Sequence, residues 1–156
     1  MKKKKHLDII SLINNYDISE NEKTELLSLY NSAKGKVIFH DFWFSNCAPC
    51  MKELPNYNDL IVTTEKENVE FIFYGVYMRN EEWKKTIDKF GLKGNHHLLT
   101  KNQLAFFEKY FGVHGFPHHQ ITKSNGMIGE KVDFRVHPNN FNAINELINK
   151  HQVAKK

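Results

Sequence analysis

With 156 residues, 40% of them apolar, and a net charge of only +4, the chain is long enough for one buried core and too short for two comfortable ones. The charge is too small and too scattered for a nucleic-acid-binding face, and twelve Phe, six Tyr and two Trp set against eight Gly and four Pro exclude disorder away from the ends. No run of about 18 apolar residues is present, so no membrane-spanning helix is expected.

In chain order, Lys2 to Lys5 open the sequence like the charged start of an export signal, but Asp8, Ser11, Asn14 and Asn15 interrupt the apolar stretch that should follow. They and the terminal Lys155 and Lys156 read as solvated tails, and no export address is read here. Ile9, Leu12, Ile13 and Tyr16 have the spacing of one helix face, and Ser19 with Glu22 has that of a capping box opening a second helix with Leu26, Leu27 and Tyr30 on one side. Gly35 ends this region. Val37 to Phe44, apolar except for His40 and Asp41, reads as a strand covered on both faces, with a helix beginning at the cysteines that follow. Val69 to Tyr77 reads as a second buried strand and Asn80 to Phe90 as a helix presenting Trp83, Ile87 and Phe90, stopped by Gly91 and Gly94.

His97 to Thr100 is a short strand candidate, followed by a helix from Asn102 with Leu104, Phe107 and Phe111 inward and Gly112 at its end. Gly115-Phe-Pro117 breaks the chain. His118 to Lys123 and Met127 to Val136 then form a hairpin around Asn125-Gly126, and Asn139 or Asn140 caps a last helix bearing Phe141, Ile144, Leu147 and Ile148. Alternating strands and helices that close in a hairpin and a helix predict an α/β sandwich with a mixed sheet.

Cys47 and Cys50 are the only cysteines, three positions apart at a predicted strand-to-helix junction. A thiol at a helix start meets unpaired N–H groups and the positive end of the helix dipole, which draw its pKa down from about 8.5 and make it a nucleophile. The second thiol lies one turn further in, shielded and able to attack a mixed disulfide made by the first. Cys47 is therefore the candidate nucleophile and Cys50 the resolver. Pro49 suits the first helical turn, where its missing N–H has no partner to lose. Three other uses of the pair stay open. The cysteines can be apolar filler; they can hold Cu(I) or zinc with a histidine such as His118, with His114 and His119 as further nitrogens; or Cys47 can react with peroxide to a sulfenic acid.

The segment Asp41-Phe-Trp-Phe-Ser-Asn-Cys-Ala-Pro-Cys-Met-Lys-Glu-Leu-Pro55 resembles the active-site segment of the thioredoxin superfamily, and its Cys-Ala-Pro-Cys followed by Met-Lys-Glu-Leu-Pro is most similar to the TlpA/ResA-type thiol-disulfide oxidoreductases. A later Tyr110-Phe-Gly-Val-His-Gly-Phe-Pro117 matches the family segment ending in a cis-proline, and Lys123 to Ile128 its hairpin. The resemblance runs from about residue 36 onward. It implies a thioredoxin-like three-layer sandwich, a mixed central sheet with helices on both faces, over residues 36–156, with residues 1–35 an N-terminal helical extension packed on it.

The resemblance implies a cis peptide at Pro117, with Phe116 bordering the substrate groove, and places Ala48 and Pro49 between the reacting cysteines. Asp41, six residues before Cys47, matches a buried acid; burial raises such a pKa, so Asp41 is a candidate acceptor for the proton of Cys50, the alternative being an aspartate paired with a lysine or with His40. Trp43 matches the family tryptophan, as groove support or as plain core, and Pro55 the proline that kinks the active-site helix. Asn46 departs from the pattern, standing where relatives carry a tryptophan beside the disulfide, which points to a narrower partner.

The expectation is a protein thiol-disulfide oxidoreductase working in the reducing direction. It needs no metal and no cofactor, only a disulfide-bearing protein substrate and an upstream thiol reductant, and the chain is expected to be a monomer. The resemblance implies an extracytoplasmic location, the bacterial periplasm or cell envelope, with any signal or anchor absent from this sequence; the cytoplasm is the alternative.

Overall fold

In the computed structural model, which describes residues 8–153, every residue of β1 (Val37–Trp43) is buried. The strand lies between β2 (Val69–Gly75), to which it runs parallel, and β4 (His118–Thr122), to which it runs antiparallel. The five-stranded sheet has the order β3-β2-β1-β4-β5, with β3 (Asn95–Leu98) parallel to β2 and β5 (Ile128–Val132) antiparallel to β4. A central strand with neighbours on both edges and helices on both faces has no solvent side, which is why its sequence is apolar nearly throughout.

Side chains alternate across the sheet, so β1 feeds two cores. Ile38 and Phe42 point into one, shared with Ile72 and Tyr74 of β2 and with α1 (Ile9–Asn14), α2 (Glu20–Ser32) and α6 (Lys101–Phe111). Val37, Phe39 and Trp43 point into the other, which holds both cysteines, Tyr57 and Leu60 of α4 (Tyr57–Thr63), and Ile144 and Ile148 of α7 (Phe141–Lys150). Trp83, Ile87 and Phe90 of α5 (Asn80–Phe90) pack against this second core. The expected mixed sheet with helices on both faces is what the chain forms. α1 and α2 bury Ile9, Ile13, Leu26 and Tyr30 in the first core. The lysines at both ends, Lys2 to Lys5 and Lys155–Lys156, lie outside the described residues.

Several boundaries move, each for a local reason. β2 stops at Gly75: the Val76 N–H still bonds the carbonyl of Trp43, and Tyr77 then breaks the strand with a left-handed backbone, φ 55°. β3 lies two residues earlier than expected, at Asn95–Leu98, because the Thr100 hydroxyl accepts the N–H of Gln103 and the Gln103 side chain accepts that of Thr100, a capping box that starts α6 at Lys101 instead of Asn102. β5 ends at Val132, opposite His119, one residue short of the start of β4 at His118. α1 ends at Asn14, so Tyr16 packs from the turn beyond it. Among the described residues no helix is long and apolar enough to cross a membrane.

The turn before β3 is a tight point in the sheet. Gly94 has φ 87°, and a Cβ there would lie 2.8 Å from the Phe73 ring and 3.1 Å from the Phe71 carbonyl; Gly35 has φ 83° with open space around it. Gly35→Ala is expected to cost about 1 kcal/mol from backbone conformation alone, and Gly94→Ala about 2 to 4 kcal/mol once overpacking is added. Urea unfolding of the two variants measures the difference; equal losses would mean that the Phe73 contact is unimportant.

Candidate active site

Cys47 occupies the N-cap position of α3 (Ala48–Glu53), with extended backbone, and its Sγ accepts the N–H of Cys50 at 3.3 Å while the two sulfurs are joined in a disulfide. Phe44 and Cys47 are tied by a hydrogen bond from the Cys47 N–H to the Phe44 carbonyl, 3.1 Å. Pro49 sits in the first helical turn as expected. Pro55 falls in a 3-10 turn, Leu54–Asn56, that separates α3 from α4. Both cysteines are buried, Cys47 slightly less so at 6% exposure against 1% for Cys50. On reduction a Cys47 thiolate inherits the Cys50 N–H as a ready donor, which favours ionisation of the outer sulfur.

Beneath the disulfide lies a buried charged cluster. Asp41 comes from β1, Glu53 from the end of α3 and His119 from β4, all 4% exposed or less. The β1–β4 register sets His119 opposite Asp41, on the face that carries Phe39 and Trp43. His119 Nε2 is 2.8 Å from Glu53 Oε1 and 3.3 Å from Asp41 Oδ2. Tyr57 donates its hydroxyl to Asp41 Oδ2, the Val136 N–H reaches Glu53 Oε2 at 3.2 Å, and the exposed Arg135 approaches the same oxygen at 3.9 Å. Asp41 Oδ1 is buried without a partner.

Burial disfavours an imidazolium, yet Asp41 and Glu53 together more than reverse that and raise the His119 pKa to about 10. Burial raises the Asp41 pKa above its ordinary value, and His119 and Tyr57 only partly offset it, because the dry surroundings outweigh the pairing. The expected alternatives for Asp41, a lysine or His40, are therefore both corrected: its partners are His119 and Tyr57. His40 points to the opposite face, where its nitrogens contact the Tyr74 hydroxyl at 2.8 Å and the Thr122 hydroxyl at 2.7 Å.

The remaining candidates separate into surface and support. Asn46 and Ala48 are exposed and Pro49 half-buried around the disulfide. Trp43 is fully buried in the cysteine-bearing core, so it packs beneath the site and faces no groove. Phe116 is half-buried, in contact with both cores, and its peptide bond to Pro117 is cis. The copper or zinc set does not assemble: His118 points with Phe42 into the other core, where its Nε2 contacts Gln120 Oε1 at 3.0 Å, and His114 is exposed. Asp41, Glu53 and His119 do bring ligand atoms within 4.8 Å of one another. With His119 protonated, its Nε2–H is directed at both carboxylates and that nitrogen has no lone pair to offer, so the group fits an ion cluster better than a metal site.

Sequence reasoning missed Glu53, Tyr57 and the role of His119. Glu53 and Tyr57 were legible as one stripe, three and seven residues after Cys50. His119 was visible only as a possible ligand, since a histidine in a strand reveals its face only through the register.

Comparison with known proteins gives a consistent picture. The sequence profile of a family described as Thioredoxin-like matches residues 35–128. The thiol-disulfide oxidoreductase ResA of Bacillus thuringiensis is 35% identical over 74 residues, 47% of this chain and 40% of that protein; ResA of Geobacillus thermodenitrificans is 34% identical over 59 residues, 38% of this chain and 34% of that protein. The matched stretches thus span less than half the length of these relatives. Among solved structures, the thioredoxin domain of a thiol-disulfide oxidoreductase from Bacteroides vulgatus superposes with a TM-score of 0.66 at 28% identity, over 76% of this chain and 84% of that one. A thiol:disulfide interchange protein from a Bacteroides species gives 0.65 at 27% identity, over 76% and 77%.

Removing the shared cation leaves two carboxylates together in the dry interior. His119→Ala is expected to cost about 3 to 5 kcal/mol near neutral pH. Because the folded pKa of His119 is raised, its contribution is full below about 6.5, its unfolded value, and fades as pH climbs through about 10. Urea unfolding across this range tests it, and a loss independent of pH would show that charge compensation is not the role of His119.

Proposed function

The chain belongs to the thioredoxin-like family, and from that premise we propose that it is a thiol-disulfide oxidoreductase that reduces disulfides in other proteins through Cys47 and Cys50. The carrying observation is the arrangement of an outer sulfur with an N–H donor, an inner buried sulfur and a buried Asp41 with an unpartnered oxygen on the same face of the sheet.

In this reading the reduced protein attacks with the Cys47 thiolate, forming a bond to one substrate sulfur and releasing the other as a thiolate. Cys50 then loses its proton to Asp41, and its sulfur attacks Cys47 Sγ. The second substrate sulfur leaves as a thiolate, and two electrons have passed from the dithiol to the substrate. Asp41 Oδ1 is the atom suited to hold the proton, being free of other donors. A raised Asp41 pKa keeps the carboxyl close to the range where it can accept a proton and return it.

An upstream thiol reductant must regenerate the dithiol. The likeness to proteins named ResA supports an extracytoplasmic setting, and a monomer is sufficient for the chemistry because every reacting group comes from one chain. Pro49 between the cysteines supports the reducing direction, as in the family that the motif resembles.

Cys47→Ser should abolish turnover, and Cys50→Ser should accumulate a mixed disulfide with the substrate that intact mass detects. A Cys50→Ser protein turning over like the wild type would end the two-thiol mechanism. Asp41→Asn is expected to slow the resolving step by roughly 10²-fold while leaving the first attack nearly unchanged. Stopped-flow separation of the two steps checks this, and equal slowing of both would remove the proton role from Asp41.

A further inference from the structure

Asn46 leaves the position next to Cys47 without a large apolar side chain, and the aromatic surface near the disulfide comes from other residues. Phe44, Tyr77 and Phe116 meet edge to face, with ring centroids 5.9 Å apart for Phe44 and Tyr77, 5.5 Å for Phe44 and Phe116, and 5.8 Å for Tyr77 and Phe116. Phe44 carries the carbonyl that receives the Cys47 N–H, so the trio begins three residues from the nucleophile. Tyr77 is 70% exposed and, among the described residues, is the one non-glycine residue with positive φ, 55°. A bulky aromatic side chain held out in water on an unfavourable backbone gains nothing from burial, and such positions are concentrated at binding sites.

Tyr77 is also a wall of a cleft of about 610 Å³ at the ends of β2 and β3. Val76, Leu99 and Leu104, each at most 8% exposed, give it an apolar floor, and the exposed Arg79 and Lys101 stand at its rim. The carboxylate in its lining, Glu82, accepts the hydroxyl of Ser45, two residues before Cys47, which joins the cleft to the active-site loop. The cleft therefore adjoins the active-site loop through Tyr77 and Glu82, with an apolar floor, two cations at its rim and the Glu82 carboxylate held by Ser45.

We propose that this cleft and the aromatic trio form the subsite for the polypeptide segment flanking the target cysteine, and that the segment carries a bulky apolar residue beside a carboxylate. The apolar side chain enters between Tyr77 and Leu104, and the carboxylate meets Arg79 and Lys101. This deepens the oxidoreductase reading and rests on it, since adjacency to the active-site loop through Tyr77 and Glu82 is what makes the cleft a substrate site. It replaces the flat indole that Asn46 removes with a pocket selective for side-chain character.

The test compares two disulfide-bridged peptides of equal length, one with Glu-Leu next to the cysteine and one with Lys-Ser, on the wild-type chain and on an Arg79→Glu, Lys101→Glu variant. The wild type should show a kcat/KM about ten-fold higher for the Glu-Leu peptide, mainly through KM, and the charge-reversed variant should lose or invert that preference. Equal kcat/KM for both peptides on the wild type overturns the subsite and leaves the oxidoreductase reading standing. Reduction of neither peptide counts against the oxidoreductase reading, and a cysteine-free Glu-Leu peptide titrated by NMR then decides the subsite. Saturable shifts at Tyr77, Leu99 and Leu104 support it, and their absence overturns it.

Discussion

His119 lies between Asp41 and Glu53 in the interior directly beneath the redox helix, and three separate parts of the chain depend on that contact. Asp41 is fixed by β1, Glu53 by α3, and the same Glu53 receives the Val136 N–H from the segment that leaves β5 for α7. Tyr57 adds α4 through its bond to Asp41. Two carboxylates cannot both be charged in a dry space without a cation, and a single imidazolium N–H between them supplies the needed charge with one hydrogen. The disulfide consequently rests on a support whose energy is electrostatic as well as apolar. Asp41 Oδ1 is left out of the pairing, buried and without a hydrogen-bond partner.

The opposite face of the same strand shows how far environment decides chemistry. His40 is as buried as His119, but its neighbours are the hydroxyls of Tyr74 and Thr122, and burial drives its pKa down to about 3, with the nearby His118 adding to the effect. One face of β1 thus holds a neutral histidine in a hydroxyl network that includes the Tyr30 and Tyr74 pair, and the other holds a charged cluster under a pair of sulfurs. Alternation along a single strand keeps the two apart. Function concentrates where the strand ends, since Phe44 and Phe116 touch both cores and carry them up to the surface beside Cys47.

Most of the architecture was legible in the sequence because local signals agreed with the global fold. The capping box at Ser19, the glycines closing α5 and α6, and the apolar run through β1 each name an element by its own chemistry, whereas the box at Thr100 was read as the end of a strand. The cysteine pair was legible too, since a strand followed by Cys-Ala-Pro-Cys leaves little choice of geometry. What escaped was whatever depends on register or on an atypical backbone. His118 and His119 are neighbours with opposite fates, and only the pairing of His119 with Asp41 tells which belongs to the site. Tyr77 looked like the last residue of a strand, whereas a left-handed turn sends it out to solvent beside Phe116. Trp43 matched a family position but is sealed in the core, leaving the aromatic surface to its neighbour Phe44 with Tyr77 and Phe116, which are distant in sequence.

The most direct measurement is a redox titration of the Cys47 and Cys50 pair in the full chain against defined thiol buffers, read by alkylation and intact mass. The account predicts a reversible two-electron transition at or below about −220 mV, in the range of reducing thioredoxin-fold proteins. A pair that does not cycle reversibly, or one that cycles near about −120 mV, would contradict a reductase built on these two sulfurs.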